Sequence, residues 1–204
     1  MRGVLVAAGE GKRMRPITYW RPKPLVPIAG QPLITHIIEG FVEAGVREIC
    51  VIVGHLRERM TETLGDGSAW GAEISYVTQD EPKGTGHAVL LAREFLGDAP
   101  FLLSWGDILV PKEHYTRVVE AYSDAVDGVL SVNRVDDPWE GAAVYVSESL
   151  VLRIEEKPPR GASTTNFNNA GILILPPRVL ELTERLRPSP RGERRPRWCA
   201  RRAC

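Results

Sequence analysis

A short apolar strand that empties into a glycine-rich basic loop constrains this chain more than any other feature. Val4-Leu5-Val6 runs into Ala7-Ala8-Gly9-Glu10-Gly11-Lys12-Arg13-Met14, and a second cationic knot follows at Pro22-Lys23-Pro24-Leu25. A buried strand ending in such a loop is how an α/β protein builds an anion cradle. Gly9 and Gly11 let the main chain that follows Ala8 come close to phosphate oxygens, while Arg13 and Lys23 supply the counter-charge. The expected ligand is a nucleoside triphosphate or a sugar phosphate.

The spelling of the loop separates the phosphate-binding motifs. A P-loop needs Gly-Lys followed by Ser or Thr, and here Arg13 follows Gly11-Lys12. The dinucleotide fingerprint needs a third glycine where Met14 stands, and Pro16 argues against a helix starting there.

Strands and helices alternate downstream. Leu33, Ile34, Ile37, Ile38, Phe41 and Val42 form an apolar stripe at helical spacing, closed by Gly45. Ile49–Val53 is a continuous apolar run, as in a strand buried on both faces. A helix over His55–Leu64, a strand over Ile74–Thr78 and a helix from Thr85 through Phe95, with Thr85 as its N-cap, follow. Phe101–Ser104 and Gly128–Val132 read as strands around a helix near Lys112–Tyr122. This alternation predicts a largely parallel sheet with helices on both faces and ligands at the carboxyl ends of its strands. After Asp136 the pattern changes to short strands at Ala142–Val146, Val151–Glu155 and Gly171–Leu175, read as a mixed extension over the pocket, with a last helix at Pro177–Leu186.

Composition excludes several classes. With 43% hydrophobic and 25% charged residues, the 204-residue chain is ordinary for a soluble single domain. No apolar run approaches the roughly 20 residues of a membrane span. Cys50, inside an apolar strand, reads as a buried thiol, and three cysteines make no even disulfide set, so a reducing cytoplasm is expected. The net charge of zero conceals an asymmetry: from Arg187 onward there are seven arginines and one acid, which leaves residues 1–186 about six charges negative. A uniformly basic nucleic-acid-binding face is therefore not expected.

Three further segments carry chemistry. Gln79-Asp80-Glu81-Pro82-Lys83-Gly84-Thr85-Gly86-His87 lies between a strand end and a helix start, where Gly84 admits a flat ligand and the Gln79 amide can pair with a base edge. Taken alone, Gly-Thr-Gly also fits an ordinary helix start, and His87 on the first turn reads as structural rather than catalytic. Asp107, lifted by Gly106 at the end of an apolar strand, is placed to hold a hard cation such as Mg2+, although Gly-Asp is also a common turn. Glu155-Glu156-Lys157-Pro158 by itself reads as a solvated strand end.

Together, Ala7-Ala8-Gly9-x-Gly11-Lys12-Arg13-Met14-x-Pro16 and Pro22-Lys23-Pro24-Leu25-x-Pro27 closely resemble the signature of the sugar-1-phosphate nucleotidyltransferases. The resemblance extends over about residues 2–193 and is closest to enzymes that make pyrimidine nucleotide sugars, the glucose-1-phosphate thymidylyl- and uridylyltransferases and the acetylglucosamine-1-phosphate uridylyl domains. It implies a Rossmann-like three-layer α/β sandwich with a mostly parallel sheet and a small mixed-strand extension over the sugar site. The implied reaction joins a sugar-1-phosphate to dTTP or UTP with Mg2+ and releases pyrophosphate.

By the same resemblance, Gln79 and Gly84, with Thr85 beside them, hold the pyrimidine, and Asp107 binds the metal. Glu156 accepts from sugar hydroxyls, Lys157 contacts the sugar phosphate, and Gly141 and Asn169 face the sugar. The family's second metal-binding carboxylate would fall past residue 204. Residues 1–187 are expected to form the catalytic domain and 188–204 a disordered Arg/Pro-rich tail. Within that tail, Arg194–Cys204 lacks apolar periodicity and reads as an out-of-frame end or a basic tail. Two other readings are a binding homologue with impaired catalysis and a nucleic-acid-binding protein acting through the tail. Specificity between dTTP and UTP, the sugar, and homo-oligomerisation are left open.

Overall fold

The computed structural model describes residues 1–81 and 83–185. In chain order the elements are β1 (Arg2–Val6), β2 (Pro27–Ile28), β3 (Gln31–Pro32), α1 (Leu33–Glu43), β4 (Glu48–Val53), α2 (Arg57–Leu64), β5 (Glu73–Thr78) and α3 (Thr85–Leu91). There follow α4 (Arg93–Leu96), β6 (Phe101–Trp105), α5 (Glu113–Glu120), β7 (Val129–Arg134), β8 (Ala142–Ser147), β9 (Leu150–Glu156), β10 (Phe167–Leu175) and α6 (Arg178–Glu184). The main sheet runs β5-β4-β1-β6-β10-β8-β9, with β7 on β10. The pairs among β5, β4, β1 and β6 are parallel, and all pairs made by β10, β8 and β9 are antiparallel.

Strand alternation separates two apolar layers. Leu5, Ile49, Val51, Val53, Leu102, Ile172 and Ile174 point to one face, under α1, α2 and α5. Their neighbours Val4, Cys50, Ile52, Phe101, Leu103, Leu173 and Leu175 point to the other, under α3 and α6. A period of two on a sheet buried on both sides gives the continuous apolar runs of β1 and β4. The helical stripe of α1 is confirmed, with Ile34, Ile37, Ile38 and Phe41 all essentially inaccessible; each contributes about 1.5–3 kcal/mol by burial. Cys50 is fully buried and unpaired, as its strand context implied. The result is the expected three-layer sandwich.

Three local expectations are corrected. The helix from Thr85 breaks at Ala92, whose N–H bonds to the Val89 carbonyl at 3.1 Å, so α3 and α4 are separate. Gly84, not Thr85, is the N-cap, without a side-chain cap bond; the Thr85 hydroxyl instead accepts from the Trp105 indole at 3.4 Å. β10 also starts earlier than its apolar run, at Phe167, because Phe167-Asn168-Asn169 pairs with β7. Its register shifts between Asn169 and Leu173, where Gly171 takes φ +82 and a Cβ would lie 2.9 Å from Trp105 Cζ3 and nearer still to Cε3. Only glycine meets both demands. The tail expected at 188–204 lies outside the described residues.

Candidate active site

The carboxyl ends of the parallel strands converge on one rim. Ala7 N–H extends β1 by donating to Ile52 O at 2.9 Å, Gly106 N–H donates to Val6 O at 2.9 Å, and Gln79 N–H donates to Val53 O at 2.8 Å. These bonds fix the residue just beyond β1, β6 and β5, where the loops carrying the polar groups begin.

The basic loop folds back upon itself. Gly11 has φ +63, and a Cβ there would lie 2.9 Å from Thr18 Cγ2 and 3.2 Å from Lys23 Cβ. Thr18 is buried; its hydroxyl donates to Gly11 O at 2.9 Å, and His55 Nε2 bonds Thr18 O at 3.2 Å. The fold-back brings Lys23 across to β6, where its Nζ donates to Asp107 Oδ2 at 2.5 Å. About a third of each of these two side chains remains exposed, 31% and 33%, so a phosphate can compete for the ammonium. Glu10 pairs with Lys12 and Arg15. Arg13 makes no ion pair among the described residues and stands exposed on the 3₁₀ turn Lys12–Met14.

Two cavities open beside the rim. One, of about 270 Å³, is walled by Ala8, Glu10, Gly54, His55, Gln79 and Asp80. The other, of about 340 Å³, has Gly84, Thr85, Trp105, Glu156, Lys157 and Asn169 in its wall and a floor of Val89, Leu103 and Leu173. Gln79, only 8% exposed, links the two, because its Nε2 donates to Gly84 O at 3.2 Å. Beside this strap, a hydrogen bond from Lys83 holds the Glu81 carboxyl below its ordinary pKa. Of the sequence-derived residues, Ala8 and Gln79 thus line one cavity, and Gly84, Thr85, Glu156, Lys157 and Asn169 line the other. Gly9, Gly11, Arg13, Lys23, Asp107 and Gly141 line neither.

Gly141 sits behind the second cavity. Its carbonyl accepts the Lys157 N–H at 2.8 Å and thereby stabilises Lys157 at φ +46. A Cβ on Gly141 would lie 3.0 Å from Asn168 Cγ and closer to Oδ1. That oxygen accepts from Ala142 N–H at 3.0 Å, while Asn168 Nδ2 donates to Asn133 Oδ1 at 3.1 Å. Asn169 turns its own Oδ1 back to Gly171 N–H at 2.8 Å.

The family model described as nucleotidyl transferase matches residues 2–199. The chain belongs to the nucleotidyl transferase family. The chain is 39% identical over 196 residues to the low-salt glycan biosynthesis nucleotidyltransferase Agl11 of Haloferax volcanii, covering 95% of this chain and 54% of that protein. It is 36% identical over 200 residues to the bifunctional protein GlmU of Methanococcus maripaludis, covering 95% and 44%. With the glucose-1-phosphate thymidylyltransferase of Streptomyces griseus the identity is 34% over 194 residues, covering 95% and 54%. The chain therefore spans about half the length of these curated relatives. Among solved structures, a candidate glucose-1-phosphate thymidylyltransferase of Bacillus anthracis, crystallised with sucrose, superposes with a TM-score of 0.85 at 27% identity, over 94% of this chain and 78% of that one.

Among the described residues, Asp107 is the carboxylate paired with Lys23 at the strand rim. Among the described residues no group of three or more His, Cys, Asp or Glu could hold a metal ion. A single carboxylate fits Mg2+ only as part of a site completed by substrate phosphate oxygens and water, since that ion wants about six oxygens. Sequence reasoning missed Thr18, His55 and Asn168. Thr18 braces Gly11, His55 braces Thr18 and Asn168 braces Ala142 next to Gly141, and a Thr, His or Asn carries no signal in the sequence of which partner it will meet.

Proposed function

We propose that this chain binds a pyrimidine nucleoside triphosphate, dTTP or UTP, beside a sugar-1-phosphate, and transfers the nucleotidyl group to give nucleotide-sugar and pyrophosphate. The observation that carries the reading is the Lys23–Asp107 pair, held where β1 and β6 end and next to the fold-back of the glycine loop. It couples a cation for phosphate with a carboxylate for a hard ion, which phosphoryl chemistry requires in one place.

In the reaction, a sugar phosphate oxygen forms a bond to the α-phosphorus while the bond from that phosphorus to the pyrophosphate oxygen breaks in line. No protein nucleophile is needed, because positioning and charge neutralisation lower the barrier. Lys23 neutralises oxygens near the α-phosphorus, Arg13 the departing pyrophosphate, and Lys157 the attacking sugar phosphate. Ala8, Gly9 and Gly11 contribute main-chain groups to the triphosphate. Gln79 and Gly84, with Thr85, take the base, while Glu156, Asn169 and the Gly141 segment take the sugar hydroxyls. Asp107 would hold Mg2+, which supplies further neutralisation of phosphate charge when bound. The reading carries a cytoplasmic location with it, since its substrates belong there.

The test is pyrophosphate release by the purified chain with Mg2+ and glucose-1-phosphate, offered dTTP, UTP and ATP in separate reactions. Release with dTTP or UTP, lost in Asp107→Asn and Lys23→Met, is expected. Calorimetric binding of nucleotide-sugar without turnover would instead favour a binding homologue. Absence of both would overturn the reading.

A further inference from the structure

Gln79 and His87 form a polar contact that the reaction above leaves unused, and its geometry bears on which base the site accepts. The Gln79 main chain is tied to β4 through Val53 O, so the side chain starts from a fixed point just beyond β5. Its amide then meets two partners. Nε2 lies 3.2 Å from Gly84 O and 3.1 Å from His87 Nδ1, on the first turn of α3.

Gly84 O is a carbonyl and can only accept. A flipped amide would put two oxygens face to face there, so the NH2 group must occupy that side. An NH2 group can only donate, so the His87 Nδ1 it meets must be an acceptor. The ring is therefore neutral with its hydrogen on Nε2. Both amide hydrogens are then used within the protein. The hydrogen-bonding atom that Gln79 has left for a ligand is Oε1, an acceptor, in a side chain that walls the cavity with Ala8 and Gly54. An acceptor at that place matches the N3–H donor of uracil and thymine and opposes the N3 acceptor of cytosine.

We propose that His87 is a positioning residue that locks the Gln79 amide so that the site selects uracil and thymine over cytosine. This rests on the reading of the cavity as a nucleotide site. Gly84 supplies one half of the lock and His87 the other. Removing His87 leaves one amide hydrogen without its partner and lowers the penalty for the flipped amide, which would welcome cytosine.

Two measurements test this. The first is calorimetric binding of UTP and CTP, with kcat and KM for each, at about pH 8, above the ordinary imidazole pKa. Wild type is expected to prefer UTP. His87→Ala should reduce the ratio of UTP to CTP about five- to tenfold, chiefly through affinity, and His87→Gln, whose side-chain carbonyl can accept from the amide, should restore it. A UTP to CTP ratio unchanged in a folded His87→Ala protein would overturn the proposal. The second is the nitrogen-15 NMR signature of the His87 ring in the wild-type chain, which needs no variant and no turnover. An unprotonated Nδ1 supports the lock, and a protonated Nδ1 overturns it. Failure of wild type to bind either pyrimidine triphosphate, with Nδ1 unprotonated, would instead refute the nucleotide-site reading and leave the Gln79–His87 lock standing.

Discussion

Gly40, in the middle of α1, sets two effects of opposite sign against each other. Helix propensity alone says that Gly40→Ala should stabilise by about 1 kcal/mol, the usual cost of glycine in a helix interior. The packing says otherwise. A Cβ at Gly40 would lie 2.7 Å from Tyr115 Cε2 and closer still to Cδ2, against about 3.5–4.0 Å for a comfortable carbon contact. Tyr115 is only 1% exposed and stacks edge-on against Phe41, with ring centroids 5.3 Å apart. The ring therefore cannot swing away, and relief must come from pushing α5 off α1. Overpacking of this kind costs about 1–3 kcal/mol and occasionally more. The net expectation is a loss of about 0–2 kcal/mol, or a fall in Tm of up to roughly 8 °C for a chain of this size. Calorimetry on Gly40→Ala, Tyr115→Leu and the double variant decides, because the smaller side chain makes room and the alanine should then become favourable. A Tm that rises in the single variant would falsify the claim that contact between α1 and α5 outweighs propensity.

Other expectations follow from the site and the core. Arg13→Ala should lower kcat/KM for pyrophosphate release by about 2 kcal/mol, roughly thirtyfold, the lower end for a charge that is exposed before it meets its phosphate; unchanged kcat/KM would remove Arg13 from the reaction. Burial pushes the Cys50 thiol from its ordinary value near 9 up to about 11. The unfolded chain therefore loses its proton first, and stability should be fully present below about pH 9 and fall between about pH 9 and 11, by roughly 3 kcal/mol. Urea unfolding at both ends of that window, for wild type and Cys50→Ala, checks this: a decline of equal size in the alanine variant would show that another group causes it.

The sheet was legible because burial on two faces leaves runs such as Ile49–Val53 with no polar interruption, and the loop was legible because its glycines and prolines stand at fixed spacing. Where a residue's role depends on a neighbour far along the chain, the sequence was silent. Thr85 looked like an N-cap because threonine often is one, yet Trp105, twenty residues on, claims its hydroxyl. Asn169 was singled out in the sequence and Asn168 beside it was not. Only the strand pairing separates them, Asn168 bracing Ala142 and Asn133 and Asn169 bonding back to Gly171. His87 was read as structural from its place on a first turn, and the geometry adds the amide that it faces.

β10 keeps β7 along one edge for most of its length, but its other neighbour changes, from β8 at Asn168 to β6 from Ile172 onward. The exchange occurs around Gly171, whose missing side chain leaves room for the Trp105 ring. One continuous strand therefore belongs both to the core that holds the parallel strands and to the smaller antiparallel extension, and there is no linker at which the two could be separated. The extension cannot be excised, swapped for another or left to melt alone without stripping β6 of a partner, and β6 is the strand that delivers Asp107. Gly171 packs against Trp105 and Ile108, the residues two before and one after Asp107, so the strand that ties the extension to the core also braces the loop that carries the carboxylate.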